Sequence, residues 1–231
     1  MQLEIVYEHR RSARVSFAKH KAILRMPLLT NATQKEELLK WAYEWIHNKL
    51  KTDTKLRSKY LPKDYRTGQI IQLRGREFVL NVQEGLEQKS AAGQLKNYVI
   101  HIRLPLGIDA FQKQQLCSTI ISRILGNFFH KELSGRVHEL NQRFFQKEIS
   151  GIRLKHNASN WGSCSSKKNI NLSTKLLLTP DFITDYIIIH ELSHLTHMDH
   201  SDRFWKLVES VMPEYRKAEE WLKKNGDECT F

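Results

Sequence analysis

The stretch that most constrains this chain runs from Ile187 to Trp205 and reads IIIHELSHLTHMDHSDRFW. It contains the pattern HExxH, formed by His190, Glu191 and His194. Residues four apart lie on one face of a helix, one turn above each other, so both imidazoles can reach one metal ion. Glu191 then reaches a water on that metal rather than the metal itself. The spacing therefore predicts a zinc site with Glu191 as its general base.

A catalytic zinc site needs a third protein ligand and keeps one position open for water. His197 continues the helical face, but it would lie roughly 10 Å along the axis from His190, too far to share one ion. His200 precedes Ser201, a good N-cap for a new helix, and a turn at 198–199 could swing it back to the metal. We therefore expect His200 as the third ligand of one Zn²⁺ ion per chain. The competing ligands are four downstream glutamates, Glu209, Glu214, Glu219 and Glu220.

Two other motifs accompany the histidines. One is Trp161-Gly162-Ser163-Cys164-Ser165-Ser166, followed by Asn169-Ile170-Asn171-Leu172, and the other is the opening Arg11-Ser12-Ala13-Arg14. Together with HELSHLTHMDHSDRFW they resemble the YgjP-like family of zinc metallopeptidases, which is related to SprT-like proteins. The resemblance covers the whole chain and is densest from Asn157 to Leu222, whereas the polar segment 83–97 departs from the family pattern.

The resemblance implies a zincin-like unit in which His190, His194 and His200 bind zinc and Glu191 is catalytic. In zinc peptidases of this type, a strand beside the metal helix pairs with the extended backbone of the substrate. The residues around 161–172 would form that edge of the cleft. The substrate-binding candidates are accordingly Trp161, Gly162, Ser163 and Asn171.

The composition is that of an ordinary folded chain of 231 residues, long enough to bury a core. No apolar run approaches the roughly 18 residues needed to cross a bilayer. The N-terminus lacks the basic and apolar segments of a signal peptide. The three cysteines are widely spaced and form no CxxC motif, which excludes a disulfide framework and a structural zinc finger. We expect a cytoplasmic protein without membrane contact.

The net charge of +12 is concentrated in the first part of the chain. Residues 151–231 hold 11 basic and 11 acidic side chains, so the first 150 residues hold 26 basic and 14 acidic ones. A basic surface next to a neutral metal site suggests an acidic partner, such as a nucleic acid, in addition to a protein or peptide substrate. A solvated basic surface without a partner is the alternative.

The order of predicted elements indicates an α+β fold. Alternating apolar residues predict short strands near 3–8, 13–18 and 21–27, a helix over 34–51, a hairpin with Gly75 at its turn, and a strand over 97–104. A long helix follows from Ala110 to about Gln146. We expect an N-terminal, mostly antiparallel sheet with one helix in residues 1–105. A helical zincin-like unit would follow in 106–231, either as a second subdomain or continuous with the first.

The expected function is zinc-dependent peptide hydrolysis with a zinc-bound water and Glu191 as general base. Two alternatives remain open. The same site could attack phosphorus in a metal-dependent phosphohydrolase acting on nucleotides, although no Gly-rich phosphate loop is visible. The peptidase could also act on proteins bound to DNA or RNA, as resemblance to SprT-like proteins implies. Three residues are candidates for stabilising the oxyanion, namely His156, His197 and Tyr215.

Overall fold

The computed structural model describes residues 2–18, 21–53, 56–57, 60–85, 90–157 and 160–231. The chain divides into two compact units, Met1–Lys63 and Asp64–Phe231. The sequence analysis expected a boundary between residues 105 and 106. In the structure the sheet residues from Leu73 to Leu104 share a core with the long helix that follows them, so they group with the C-terminal part.

The described part of the first unit contains a three-stranded sheet that packs against a long helix. Its strands have the order β1-β3-β2, with β1 parallel to β3 and β2 antiparallel to β3. Apolar residues alternate along β3, and its buried positions Ala22, Leu24 and Met26 pack in one cluster with Ala42 and Ile46 of the helix. The elements are β1 (Gln2–Glu8), β2 (Arg14–Ala18), β3 (Lys21–Pro27) and α1 (Ala32–Thr52).

The second unit begins with a four-stranded sheet of order β4-β5-β7-β6. The predicted hairpin is confirmed: β4 pairs with β5, and Arg74 and Gly75 both adopt positive φ, which a two-residue turn of this twist requires. β5 is parallel to β7 and β6 is antiparallel to it. The elements are β4 (Ile70–Leu73), β5 (Arg76–Gly85), β6 (Ala92–Lys96), β7 (Val99–Pro105) and α2 (Ala110–Leu140).

A third sheet and three shorter helices complete this unit. The sheet has the order β8-β10-β9, with β8 parallel and β9 antiparallel to β10. In the part of the chain that the structure describes, β9 is therefore an outermost strand. The elements are β8 (Gly151–Lys155), β9 (Gly162–Cys164), β10 (Asn169–Ser173), a 3-10 turn (Thr174–Leu178), α3 (Asp181–Ser193), α4 (Asp202–Val211) and α5 (Tyr215–Asn225).

The same supersecondary unit occurs three times along the chain. In each case a strand is parallel to the strand two places later, the strand between them is an antiparallel neighbour of that later strand, and a helix follows. The helices of the three βββα units are α1, α2 and α3. The α+β class is thus confirmed. The pairing within each sheet is mixed rather than antiparallel, because the first strand of each βββα unit pairs in parallel with the third.

The first two βββα units also share sequence. RMPLLTNATQKEEL at 25–38 and RLPLGIDAFQKQQL at 103–116 are identical at seven of fourteen positions, with a constant spacing of 78 residues. Both helices start with a capping box, Asn31 with Gln34 and Asp109 with Gln112. The match places β2 on β6, β3 on β7 and the start of α1 on the start of α2, so the repeat holds in sequence as well as in topology.

Ion pairs fix α3 against α2 and the β4–β5 turn. Arg136 of α2 donates two hydrogen bonds to the Asp185 carboxylate, at 2.7 and 2.6 Å. Arg74 of the turn bonds Asp181 in the first turn of α3 and Glu132 of α2. Paired, two-pronged contacts of this kind are geometrically specific, so they set the position of the helix that carries HExxH. Among the described residues, no helix is long and apolar enough to cross a membrane.

Candidate metal centre

Helix α3 is buried on nearly every side, and this places the HExxH motif inside the protein. Ile183, Ile188 and Leu192 are fully buried in the core shared by the third sheet and the last helices. A helix that is apolar all round lies in a core. His190 and Glu191 occupy its last turn, and His194 caps its C-terminus.

The chain turns directly after the motif and brings a third histidine back. The amides of Leu195 and Thr196 donate to the carbonyls of Leu192 and Ser193, so the helix closes in a tight turn. The chain then runs to Ser201, which has extended dihedral angles and precedes α4 as its N-cap. The sequence predicted a turn at 198–199, and in the structure the backbone bends at both residues, after a first turn at 194–196. The result is that His200 lies beside His190.

Three imidazoles meet at this point. Ligand atoms of His190, His194 and His200 all lie within 4.8 Å of one another. The Nε2 atoms of His190 and His200 are 3.1 Å apart. Zn–N bonds of about 2.0–2.1 Å around a tetrahedral ion put two ligand nitrogens roughly 3.3 Å apart, so this separation fits two ligands of one ion. The three rings therefore form a candidate metal site.

Hydrogen bonding and burial favour the neutral form of the His190 and His194 imidazoles. The Nδ1 of His194 lies 3.0 Å from the carbonyl oxygen of His197, so Nδ1 carries the proton and Nε2 is left as an acceptor. Burial, together with the neighbouring His194 and His200, lowers the pKa of His190 to about 4. Burial also lowers the pKa of His194, against the opposing effect of its bond to the His197 carbonyl. The neutral imidazoles that result are the form that binds metals.

An aromatic wall backs the three rings. Phe204 is fully buried, and its ring centroid lies 4.9, 4.5 and 4.8 Å from those of His190, His194 and His200. Trp205 lies 5.8 Å from His190 and 5.9 Å from His200. The wall excludes water from one side of the site. In the described part of the chain, His190 Nδ1 is buried without a hydrogen-bond partner, which leaves its ring to be held by packing and by a ligand at Nε2.

The donor set and its surroundings fit a divalent transition-metal ion. Three neutral imidazoles suit zinc and other first-row metals, whereas calcium and magnesium prefer oxygen ligands. His200 is the exposed member of the three, so one side of the site is open to solvent. Three protein ligands with an open side are typical of a catalytic site, since structural zinc sites are closed by a fourth protein ligand.

Glu191 lies beside the histidines and is almost fully buried, with 5% of its surface exposed. Burial raises the pKa of its carboxyl group to about 7, and a hydrogen bond from the backbone amide of Cys164 opposes that rise. The carboxylate also lies against Gly162, where an added Cβ would approach its Oε1 atom to 2.6 Å. Strand β9 therefore contacts Glu191 at two of its three residues.

The four substrate-binding candidates do not share one environment. Gly162 faces Glu191, as described above. Trp161 is half-buried, with the Lys175 ammonium 5.5 Å from its ring centre. Ser163 and Asn171 are paired across the hairpin and joined by a side-chain hydrogen bond of 3.2 Å. They lie on the sheet face opposite Ile170 and Leu172, whose side chains are buried.

The alternative third ligands and two of the oxyanion candidates have other contacts in the structure. None of the four downstream glutamates belongs to the histidine cluster among the described residues, and Glu219 instead accepts a hydrogen bond from Tyr186. His156 bonds the buried Ser122 hydroxyl at 2.9 Å. Tyr215 is buried and stacked on Trp205 at 5.5 Å. These contacts give His156 and Tyr215 structural partners.

Cys164 lies next to Glu191, but its thiol is not in the ionised form that a metal ligand or a nucleophile requires. Burial, together with the nearby Glu191 carboxylate, raises the pKa of its thiol to about 11. A thiolate is required for metal binding and for nucleophilic attack. The Cys164 side chain therefore acts as a small apolar group, while its backbone amide contacts Glu191.

A match to a known protein family agrees with a metal-dependent site in this chain. A family model described as YgjP-like, metallopeptidase domain, matches residues 11–225. Among solved structures, the metallopeptidase zymogen of Pyrococcus abyssi abylysin matches with a TM-score of 0.37 and 22% identity, covering 40% of this chain and 93% of that chain. The metallopeptidase zymogen of Methanocaldococcus jannaschii jannalysin matches with a TM-score of 0.36 and 21% identity, covering 40% and 94%. No curated protein matches the chain.

Proposed function

Because the chain belongs to the YgjP-like family of metallopeptidases, we propose that it hydrolyses peptide bonds with one zinc ion held by His190, His194 and His200. The observation that carries this proposal is the meeting of these three rings beside a buried carboxylate. When bound, Zn²⁺ supplies a Lewis acid that polarises a carbonyl group and lowers the pKa of water toward about 7. The proposed mechanism uses the three histidine ligands, one zinc ion and a general base.

Glu191 is the proposed general base. Its carboxylate accepts a proton from the attacking water and then donates that proton to the nitrogen of the leaving amine. A base is most effective when its pKa lies near the working pH, and burial moves the pKa of Glu191 in that direction. The amide of Cys164 and the bare backbone of Gly162 hold the carboxylate from the side of the sheet.

Strand β9 is the proposed docking edge for the substrate. It pairs with β10 on one side, and it is the outermost strand among the described residues of its sheet. An extended peptide can add to such an edge through main-chain hydrogen bonds, with side-chain contacts giving preference. Trp161, Ser163 and Asn171 flank that edge and are the proposed side-chain contacts.

The reaction class is tested by supplying zinc-loaded protein with two kinds of substrate. We expect cleavage of an unfolded protein, measured as new α-amino groups and as fragments by mass spectrometry. We expect no release of phosphate or pyrophosphate from a panel of nucleoside triphosphates. Cleavage of nucleotides without cleavage of the unfolded protein would show that the site is a phosphohydrolase and would overturn the peptidase proposal.

The charge distribution supports a second proposal, which concerns a partner. Residues 1–63 hold 14 basic and 6 acidic side chains, so this unit carries +8 of the net +12. Exposed cations such as Arg11 and Arg14 attract polyanions, because phosphate contacts release condensed counterions. We propose that the first unit binds nucleic acid and so directs the peptidase to proteins bound there.

The full-length protein should therefore bind a fluorescein-labelled DNA duplex, with a Kd that rises about tenfold or more between 50 and 200 mM salt. Replacement of Arg11 and Arg14 by glutamine should weaken this binding. The matched control replaces Lys206 and Lys223, which are exposed in the second unit, by glutamine. This control should weaken DNA binding less than the replacement of Arg11 and Arg14. Fluorescence anisotropy measures all three. Absence of binding at 50 mM salt would remove this proposal.

A further inference from the structure

The three βββα units place one pair of residues in the same relation. The strand residue is Val15 in β2, Gly93 in β6 and Gly162 in β9, and each pairs with the fourth residue of the following strand. The helix residue is the eleventh of its helix in each unit, and the three are Ala42, Ile120 and Glu191. These equivalences follow from register and position alone.

In the second and third units a glycine on the strand lies against a large side chain on the helix. In the first, Val15 and Ala42 are both buried in one cluster. In the second, a Cβ added to Gly93 would lie 2.3 Å from Cγ2 of Ile120, so the glycine makes room for a large helix residue. A small helix residue thus accompanies valine, and a large one accompanies glycine.

In the third unit the large helix residue is the carboxylate of the metal centre. A Cβ added to Gly162 would lie 2.6, 2.8 and 2.9 Å from Oε1, Cγ and Cδ of Glu191. Real Cβ atoms do not approach other heavy atoms this closely, and the contact includes the stem of the side chain as well as its end. Since only 5% of Glu191 is exposed, the side chain has little room to move aside.

We propose that Gly162 is a positioning residue for Glu191: the missing side chain at position 162 leaves the space in which the carboxylate is held beside the three histidines. This role rests on the proposed function of Glu191 as general base. The amide of Cys164 completes the seat by donating a hydrogen bond to the carboxylate. The third unit thus uses for catalysis the space that the second unit fills with Ile120.

Alanine at position 162 tests the role directly. Gly162 does not have the positive φ that favours glycine, so an alanine there acts through contact and not through backbone strain. We expect Gly162→Ala to retain one zinc ion per chain and to lose about 10²-fold in kcat, with KM changed by less than about threefold. A displaced base alters the chemical step, whereas the histidines and the substrate edge remain.

The matched control is Gly151→Ala in strand β8, on the other side of β10 in the same sheet. An added Cβ there would meet only Oδ1 of Asn169, at 3.0 Å, and it lies in the same sheet. We expect kcat and zinc content of this variant to stay within about twofold of the wild type. A loss of kcat in Gly151→Ala equal to that in Gly162→Ala would show a general effect of disturbing the sheet and would overturn the positioning role.

A readout that does not depend on activity comes from thermal unfolding of the metal-free protein. Gly162→Ala should lower the unfolding midpoint in the wild type but not in a Glu191→Ala background, since all three close atoms belong to the Glu191 side chain beyond Cβ. If Gly162→Ala fails to fold, the double variant should fold again. Equal destabilisation in the two backgrounds would overturn the proposed contact.

The outcomes for this role and for the proposed function can be told apart. Full activity in Gly162→Ala combined with an inactive Glu191→Gln would overturn the positioning role and leave the proposed function standing. Joint loss of zinc and activity in Gly162→Ala would also overturn it, because the glycine would then support the ligands. Full activity in Glu191→Gln would overturn the proposed function and, with it, the role of Gly162.

Discussion

Replacement of Glu191 by glutamine is expected to lower kcat for peptide hydrolysis by about 10²–10⁴-fold while leaving one zinc ion bound per chain. Glutamine has nearly the same shape and fits the space against Gly162, but it cannot accept the proton of the attacking water. The zinc ligands in the proposal are all histidines, so the metal should stay. The measurement is kcat on an unfolded protein substrate, combined with elemental analysis.

The control for this prediction is Glu209→Gln. Glu209 is exposed on α4, it is one of the glutamates that compete as third ligand, and its replacement should change neither kcat nor zinc content. Unchanged peptide hydrolysis in Glu191→Gln would contradict the assignment of the base. Loss of zinc in Glu209→Gln would contradict the assignment of the third ligand.

Replacement of His200 by alanine is expected to reduce the zinc content from about one ion per chain toward zero after dialysis, and to abolish peptide hydrolysis with it. The variant leaves two imidazoles on α3, fewer than the three protein ligands of a catalytic zinc site. His200 is exposed, so the substitution removes little packing and the metal-free protein should keep its unfolding midpoint. Elemental analysis and thermal unfolding measure the two effects separately.

His197→Ala provides the matched control for this ligand. The backbone carbonyl of His197 accepts the hydrogen bond from His194, and alanine retains that carbonyl. The variant should therefore keep its zinc. A His200→Ala protein that binds zinc as the wild type does would show that the third ligand is another residue. Loss of zinc in His197→Ala would show that the imidazole of His197 is that ligand.

The histidine pair was predictable from sequence because it depends only on local geometry. Four-residue spacing places His190 and His194 on one face of any helix, whatever packs around it. The position of His200 was predictable from the N-cap signal of Ser201 and a turn at 198–199, where the backbone bends after a first turn at 194–196. The ligation of zinc by these three rings remains a prediction.

The seat of Glu191 was not predictable in this way. Gly162 and Glu191 are 29 positions apart in the chain and meet because a strand packs on a helix, which periodicity does not reveal. The WGSC motif indicated a substrate edge, and its glycine instead faces the carboxylate. The sequence repeat at a spacing of 78 residues relates only the first two units, so it does not reveal the contact in the third. The equivalence of Gly93 and Ile120 with Gly162 and Glu191 comes from strand register and helix position in the structure.

The pairing of strands was also beyond the sequence pattern. Alternating apolar residues locate β1, β3, β5 and β7, but alternation is the same for parallel and antiparallel neighbours when one face is buried. The expected boundary at 105/106 followed a change from strands to helix, whereas the core of the second unit joins the sheet of β4–β7 to α2. The class of fold was therefore predictable, and its division into units was not.

The most direct test of the central claim is zinc K-edge X-ray absorption on the full chain loaded with one equivalent of zinc. The account predicts three imidazole nitrogens at about 2.0–2.1 Å and one further light atom, with no sulfur. The spectrum of His200→Ala should lose one imidazole contribution or show unbound zinc. A sulfur contribution at about 2.3 Å, or zinc that remains hydrated by water alone in the wild type, would contradict the three-histidine centre.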